Sequence, residues 1–217
     1  MKGFSTPTRK QEIWSTVMET YEPSGKYNLP SWEPAPRTEL ADPTITEEWP
    51  YLMTTGRRIP VYFHSEHRQL PWCRELWPFP KVEINPSDAE KLGIENGDWV
   101  WIESPEGKIR QKADLYYGIE PGVINCEHQW WFPELEEAGR GYDLCNINCL
   151  VTGDNQDPIC GSSNLRAYNV KVYKATEDNS PFNNPVPCGQ DGTPIICDAS
   201  DERLLQWLPN YEIRNEA

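Results

Sequence analysis

A chain of 217 residues carries 34 acidic against 20 basic side chains, a formal net charge of -14, together with 21 prolines and seven cysteines. That acidity excludes nucleic acid and an anionic membrane surface as partners, and no apolar run is long enough for direct membrane insertion. The cysteines are odd in number and contain no Cys-x-x-Cys pair, so free thiols are expected and a zinc or iron-sulfur site is not.

Residues 1–48 are Pro-rich, and only 11–21 show any periodicity. The run Tyr27-Asn28-Leu29-Pro30-Ser31-Trp32-Glu33-Pro34-Ala35-Pro36 is barred from a helix, because prolines at this density remove donors and fix φ. A buried strand is expected over 49–55, from its apolar and β-branched content. Val61-Tyr62-Phe63 reads as a further strand, and a helix or turn follows near 70–76.

The segment 81–124 carries the clearest local signals. A strand at 81–84 leads to Asn85 as N-cap, Pro86 at the first helical position, Asp88 at the positive helix end and Gly93 as the stop. Asn96-Gly97-Asp98 is a turn. Strands at 99–104 and 109–116 are joined by the hairpin turn Pro105-Glu106-Gly107, and another strand is expected at 122–127. A long loop over 129–166 precedes a last strand at 168–173. Structureless loops of that length are rare unless they carry function. Beyond 175 the chain turns to Asn, Pro, Asp and Gly before a final apolar stretch at 202–208, which is expected to dock on the barrel or on parts of a larger protein.

Arg57, Arg58, His64, His67 and Arg68 lie within twelve residues that contain one acid, Glu66. A small cationic pocket on an acidic body suits an anionic ligand, since pairing acts over a few ångströms while distant charge is screened. His64-x-x-His67 has metal-ligand spacing, yet it follows an apparent strand and has no evident third ligand, so metal binding is not expected. Thr54-Thr55-Gly56-Arg57 ends a strand on a glycine, where backbone N–H groups approach a ligand closely.

Taken in order, 3–13, Leu52-Met53-Thr54-Thr55-Gly56-Arg57, His64-Ser65-Glu66-His67-Arg68, 81–124, His128-Gln129-Trp130-Trp131-Phe132-Pro133-Glu134 and Asn146-Ile147-Asn148-Cys149-Leu150-Val151-Thr152 resemble one family. It is the C-terminal dinucleotide-binding domain of molybdopterin oxidoreductases of the dimethyl sulfoxide reductase type. The resemblance covers residues 3–174.

It implies a mainly β fold, a six-stranded double-psi barrel related to aspartate decarboxylase, with short peripheral helices and long loops. It further implies a strap at 1–48 belonging to the preceding part of a larger enzyme, the barrel at 49–175, and a C-terminal extension at 176–217. The ligand implied is bis(molybdopterin guanine dinucleotide), with molybdenum or tungsten held by the rest of the parent catalytic subunit. An iron-sulfur electron-transfer subunit is a further implied partner. The chain alone is expected to be a catalytically inactive piece, soluble, in prokaryotic cytoplasm or periplasm according to a signal lying upstream.

The resemblance assigns Thr55, Gly56 and Arg57 to the pterin or its phosphates, and His64, Ser65 and Arg68 to hydrogen bonds with the pterin. Asn148 and Asp157 are assigned to the guanine edge. Gln129 departs from the glycine often found at that position of the family. The paired Trp130 and Trp131 suit either a substrate funnel or packing against the enzyme body. Two other readings use the same barrel: a self-cleaving enzyme processed at Gly161-Ser162, and a stand-alone module that binds polypeptide.

Overall fold

The computed structural model describes residues 3–57, 59–154, 156–157, 159–164, 166–180, 186–188, 192–197 and 201–205. Six strands, β1 (Tyr51–Arg57), β2 (Lys81–Ile84), β3 (Trp99–Ser104), β4 (Gly107–Leu115), β5 (Val123–Glu127) and β6 (Tyr168–Lys174), close into a barrel in the order β1-β5-β2-β4-β3-β6. The β1/β5 and β2/β4 pairs are parallel and the other four pairings antiparallel. Closure leaves no free sheet edge. This is the mainly β, six-stranded double-psi barrel that the resemblance implies.

Inward residues fill the barrel: Met53, Val82, Ile84, Val100, Ile102, Ile109, Ile124 and Val170 are buried in one cluster. Their alternation along β2 and β5 matches the side-chain period of a strand. Helix α3, counted after α1 (Met18–Tyr21) and α2 (Pro71–Leu76), runs Pro86–Leu92. The Asn85 side chain accepts from Ser87 N, Pro86 opens the helix, and Gly93 closes it at φ 65. Buried Asp88 ties the helix to the barrel by accepting from Gly122 N at 2.6 Å.

Two sequence expectations change in the structure. Val61-Tyr62-Phe63 is not a strand but part of a chain of turns over 59–69, opened by Tyr62 N donating to Ile59 O. Pro60 has no N–H to give a ladder, and Tyr62 turns inward to meet Trp130 edge-on at 5.4 Å. The span 129–166 is not structureless either. It holds α4 (Tyr142–Cys145), a 3₁₀ turn (Ile147–Leu150) and an antiparallel bridge between Gln156 and Ser163.

The Pro-rich beginning follows an irregular path broken by α1 and a 3₁₀ turn (Pro43–Glu47). It clasps the barrel through β6. Buried Asn169 donates from Nδ2 to Trp49 O and accepts from Glu39 N, its own N–H reaches Arg37 O, and Arg37 pairs with Glu106 at 2.7 Å. On the other side, Asn179 accepts from Trp101 Nε1, so the start of the C-terminal extension rests on β3. The last apolar stretch forms α5 (Glu202–Leu205), held by Arg203 Nη1 donating to Pro194 O. Its continuation at 206–208 lies outside the described residues. No helix among the described residues is long and apolar enough to cross a membrane.

Candidate functional site

Because β1 and β5 run parallel, their C-terminal ends lie side by side and the chain leaving each feeds the same face. The end of β5 is anchored from below. Gln111 of β4 donates to Glu127 O and to Cys145 O, and accepts from Glu127 N, all in fully buried surroundings. Trp77 Nε1 donates to Glu127 Oε1 at 2.7 Å. Buried polar networks of this kind rigidify the segment they join in a low-dielectric interior.

At the end of β1 the register passes from Thr55↔Cys126 to Arg57↔Glu127, so Gly56 is bulged out of the ladder. Its φ of 115 is open to glycine alone. A side chain here would meet a single neighbour, Arg166 Nη2, at 3.9 Å from the Cβ position. A bulge re-aims a strand end and frees backbone groups, and here it does so beside a guanidinium. Thr55 is buried beneath it. Arg57 ends the strand, but its side chain, like all of Arg58, lies outside the described residues.

The turn that follows places His64 and Ser65 on the surface and Arg68 in the interior. His64 Nδ1 lies 2.8 Å from Gln129 Oε1, and its ring centre is 6.2 Å from that of His128. Ser65 O accepts from Trp131 Nε1 at 2.6 Å. Arg68, at 2% exposure, stacks on Tyr62 at 4.1 Å and on Trp130 at 4.9 Å, and donates to Glu66 O. Burial pushes its guanidinium down to about 10, still protonated at neutral pH. Its Nε finds no acceptor.

Trp130 is therefore the centre of a second apolar cluster with Ile59, Tyr62, Cys73, Phe132 and Cys145. Beside it Arg74 makes a two-pronged ion pair with Glu134, at 3.0 and 2.9 Å, both side chains being nearly inaccessible. Trp130 meets neither use expected of the Trp pair, a substrate funnel or packing against the enzyme body, because it is fully buried within this domain. Trp131 is half-buried and sews the 128–131 loop to the 64–65 turn. Burial drives the Tyr62 phenol and the Cys145 thiol far above their ordinary values, so both stay protonated.

Asn148 and Asp157 are exposed, and their bonds are local. Asn148 N donates to Asn146 Oδ1, while the Asp157 carboxylate accepts from Cys160 N and Ile159 N, Cys160 being the main cause that holds it below the usual carboxylate range. This is the turn-capping chemistry that Asn and Asp favour in any loop. Among the described residues, neither hydrogen-bonds to the β1 turn. Two residues at the site are not picked out by the sequence: Arg166, just before β6, and Gln129, seen only as a departure from a glycine. A left-handed glutamine leaves no local sequence signal, and neither does an arginine that reaches the β1 bulge through the pairing of β6 with β1. Among the described residues, no three His, Cys, Asp or Glu side chains are grouped to hold a metal ion.

An open, bulged backbone beside a guanidinium, with His64 and His128 on the chains leaving β1 and β5, suits an elongated ligand with phosphates and hydrogen-bonding ring edges. Fold and site together define a dinucleotide-binding barrel domain. The match is specific: the molydopterin dinucleotide binding domain fits residues 51–168, and the chain belongs to that family. It is 60% identical over 213 residues, 98% of its length, to the dopamine dehydroxylase of Eggerthella lenta, of which it spans 21%. It is 30% identical over 181 residues to a dimethyl sulfoxide reductase of Escherichia coli, covering 78% of this chain and 21% of that protein. The solved acetylene hydratase from Pelobacter acetylenicus superposes with a TM-score of 0.74 at 30% identity, covering 80% of this chain and 24% of the other. The chain thus spans about a fifth to a quarter of these relatives, and a molybdopterin is the cofactor this domain serves.

Proposed function

We propose that this chain is the dinucleotide-binding domain of a molybdenum or tungsten oxidoreductase whose catalytic subunit removes a hydroxyl from dopamine or a closely similar aromatic substrate. The observation that carries it is 60% identity to the dopamine dehydroxylase across 98% of the chain, against 30% for the acetylene hydratase structure. The bound cofactor would supply the metal and the redox chemistry; the domain's part is to bind and orient it. Losing the hydroxyl as water consumes an electron pair, which fits an iron-sulfur subunit as electron donor.

In this reading the cofactor is bis(molybdopterin guanine dinucleotide). The bulge at Thr55 and Gly56, with Arg57 and Arg166, takes the phosphates, and His64 and Ser65 meet the pterin. Asn148 and Asp157 meet the guanine through atoms their local turns leave over. Arg68 acts from beneath, fixing the 62–68 turn against Trp130. Residues 1–48 and 176–217 join the barrel to the rest of the catalytic subunit. Helix α2 presents Trp72 and Leu76, one turn apart and both exposed, as an apolar ridge for that body.

The test is anaerobic turnover by the cofactor-loaded catalytic subunit with a low-potential reductant, offered dopamine and acetylene in parallel. A product one oxygen lighter than dopamine is expected. Acetylene consumption without dehydroxylation would overturn the substrate class, and redox turnover with bound metal by the 217-residue chain alone would overturn its role as a domain.

A further inference from the structure

Among the side-chain contacts between the loops leaving β1 and β5, His64 and Gln129 form a hydrogen-bonded pair on the surface. Both residues hold positive φ, at 51 and 58, a region uncommon for residues other than glycine and tolerated better by histidine than by glutamine. A glutamine at positive φ persists where the surroundings dictate it. Here they do: Trp131 Nε1 binds Ser65 O, and Arg68 is clamped between Tyr62 and Trp130, one from each loop. Asn146 Nδ2 also reaches Trp130 O.

The direction of the bond follows from the orientation of the Gln129 amide. Gln129 presents its amide oxygen, Oε1, at 2.8 Å from Nδ1 of His64. An amide oxygen has lone pairs and no proton, so a neutral imidazole facing it must carry its hydrogen on Nδ1. The other nitrogen, Nε2, then holds a lone pair. His64 is exposed, and its Nε2 has no hydrogen-bond partner among the described residues.

We propose that Gln129 is a positioning residue that locks His64 in the Nδ1–H tautomer and presents Nε2 as an acceptor for an N–H donor edge of the pterin. This rests on the cofactor-domain reading above. A phosphate oxygen, itself an acceptor, is a poor match for that nitrogen while the imidazole is neutral. The latch therefore sorts the ring end of the cofactor to His64 and leaves the phosphates to the Gly56 bulge and Arg166. Glutamine here gives something glycine cannot: glycine relaxes the backbone at φ 58 but leaves Nδ1 without its acceptor.

The chain holds three histidines, so 15N-histidine labelling of the full chain gives three imidazoles to read. Long-range 1H–15N correlation, at a pH well above the ordinary imidazole value of about 6.5, should show His64 protonated on Nδ1. Gln129→Ala and Gln129→Gly should move the proton to Nε2, and Gln129→Glu, which keeps an acceptor, should retain it on Nδ1. Because glycine accepts the backbone angle without strain, its loss of the tautomer cannot be ascribed to a collapsed loop. An Nε2–H tautomer in the wild type, or no change in Gln129→Gly, would overturn the latch.

A second readout uses the cofactor-loaded catalytic subunit. Gln129→Gly should release its pterin about tenfold faster, the lower end of what loss of a supporting partner does to a bound group, and Gln129→Glu should not. Unchanged release in Gln129→Gly would overturn the proposed use of Nε2. A failure of the cofactor-domain reading would appear differently, as wild-type subunit purifying without pterin while the His64 tautomer remains as stated.

Discussion

Inside the barrel, Val82, Ile84, Val100, Ile102, Ile109 and Ile124 pack together while the backbone ladders carry most of the hydrogen bonding, with neutral Gln111 tying β4 to the end of β5. In the cluster beside it, Trp130, Tyr62 and Phe132 are packed with two buried arginines and the Arg74–Glu134 pair, and the backbone there is mostly turns. The first region gains from burial that is insensitive to small displacements. The second holds charges that must stay paired and stacked, because an unpaired charge in such surroundings is costly. One region fixes the fold, and the other holds the two loops that carry His64 and Gln129.

This contrast can be broken most sharply at Glu134. Glu134→Ala strands the buried Arg74 charge and should cost about 3–5 kcal/mol, read by urea unfolding. Amide exchange should speed up over 59–77 and 128–145 before it does in the barrel strands. Equal loss of protection in both regions would show that they form one cooperative unit. Ile124→Ala, inside the barrel, should cost about 2–5 kcal/mol and lower the protection of all six strands together.

Smaller effects refine the barrel side. Asn85→Ala removes the α3 cap and the bond to Ile119 O, and should cost about 1 kcal/mol, visible as a lower Tm. At Asp98, partial burial raises the carboxyl, but the Lys174 ammonium and Glu95 N–H outweigh it and hold the group below the ordinary carboxylate value. A folded value below the unfolded one means stability present above about pH 4 and lost as pH falls through the folded value. Asp98→Asn should flatten that acid limb by less than about 1 kcal/mol, since the pair is partly solvated.

The elements of the barrel were legible because each rests on neighbours in sequence. Asn85, Pro86 and Gly93 bound α3 as expected, Pro105-Glu106-Gly107 turns the hairpin, and the strand expected at 168–173 is extended by one residue. The stretch 61–63 was misread because its three apolar residues fit a strand equally well. What turns Tyr62 inward is Trp130, almost seventy residues away. Arg68, expected at the ligand, is buried for the same reason, and Arg166 reaches Gly56 only once β6 lies beside β1.

By itself, the sequence determined the strands, the capped helix, the turn chemistry and the family, since propensities, caps and motif order act over a few residues. The tertiary structure decided which side chains stand at the parallel ends of β1 and β5. It sent Arg68 inward, brought Arg166 to the bulge and set Gln129 against His64. Those choices depend on barrel closure, which joins loops far apart in the chain, and on the cost of burying charge, which local sequence does not express.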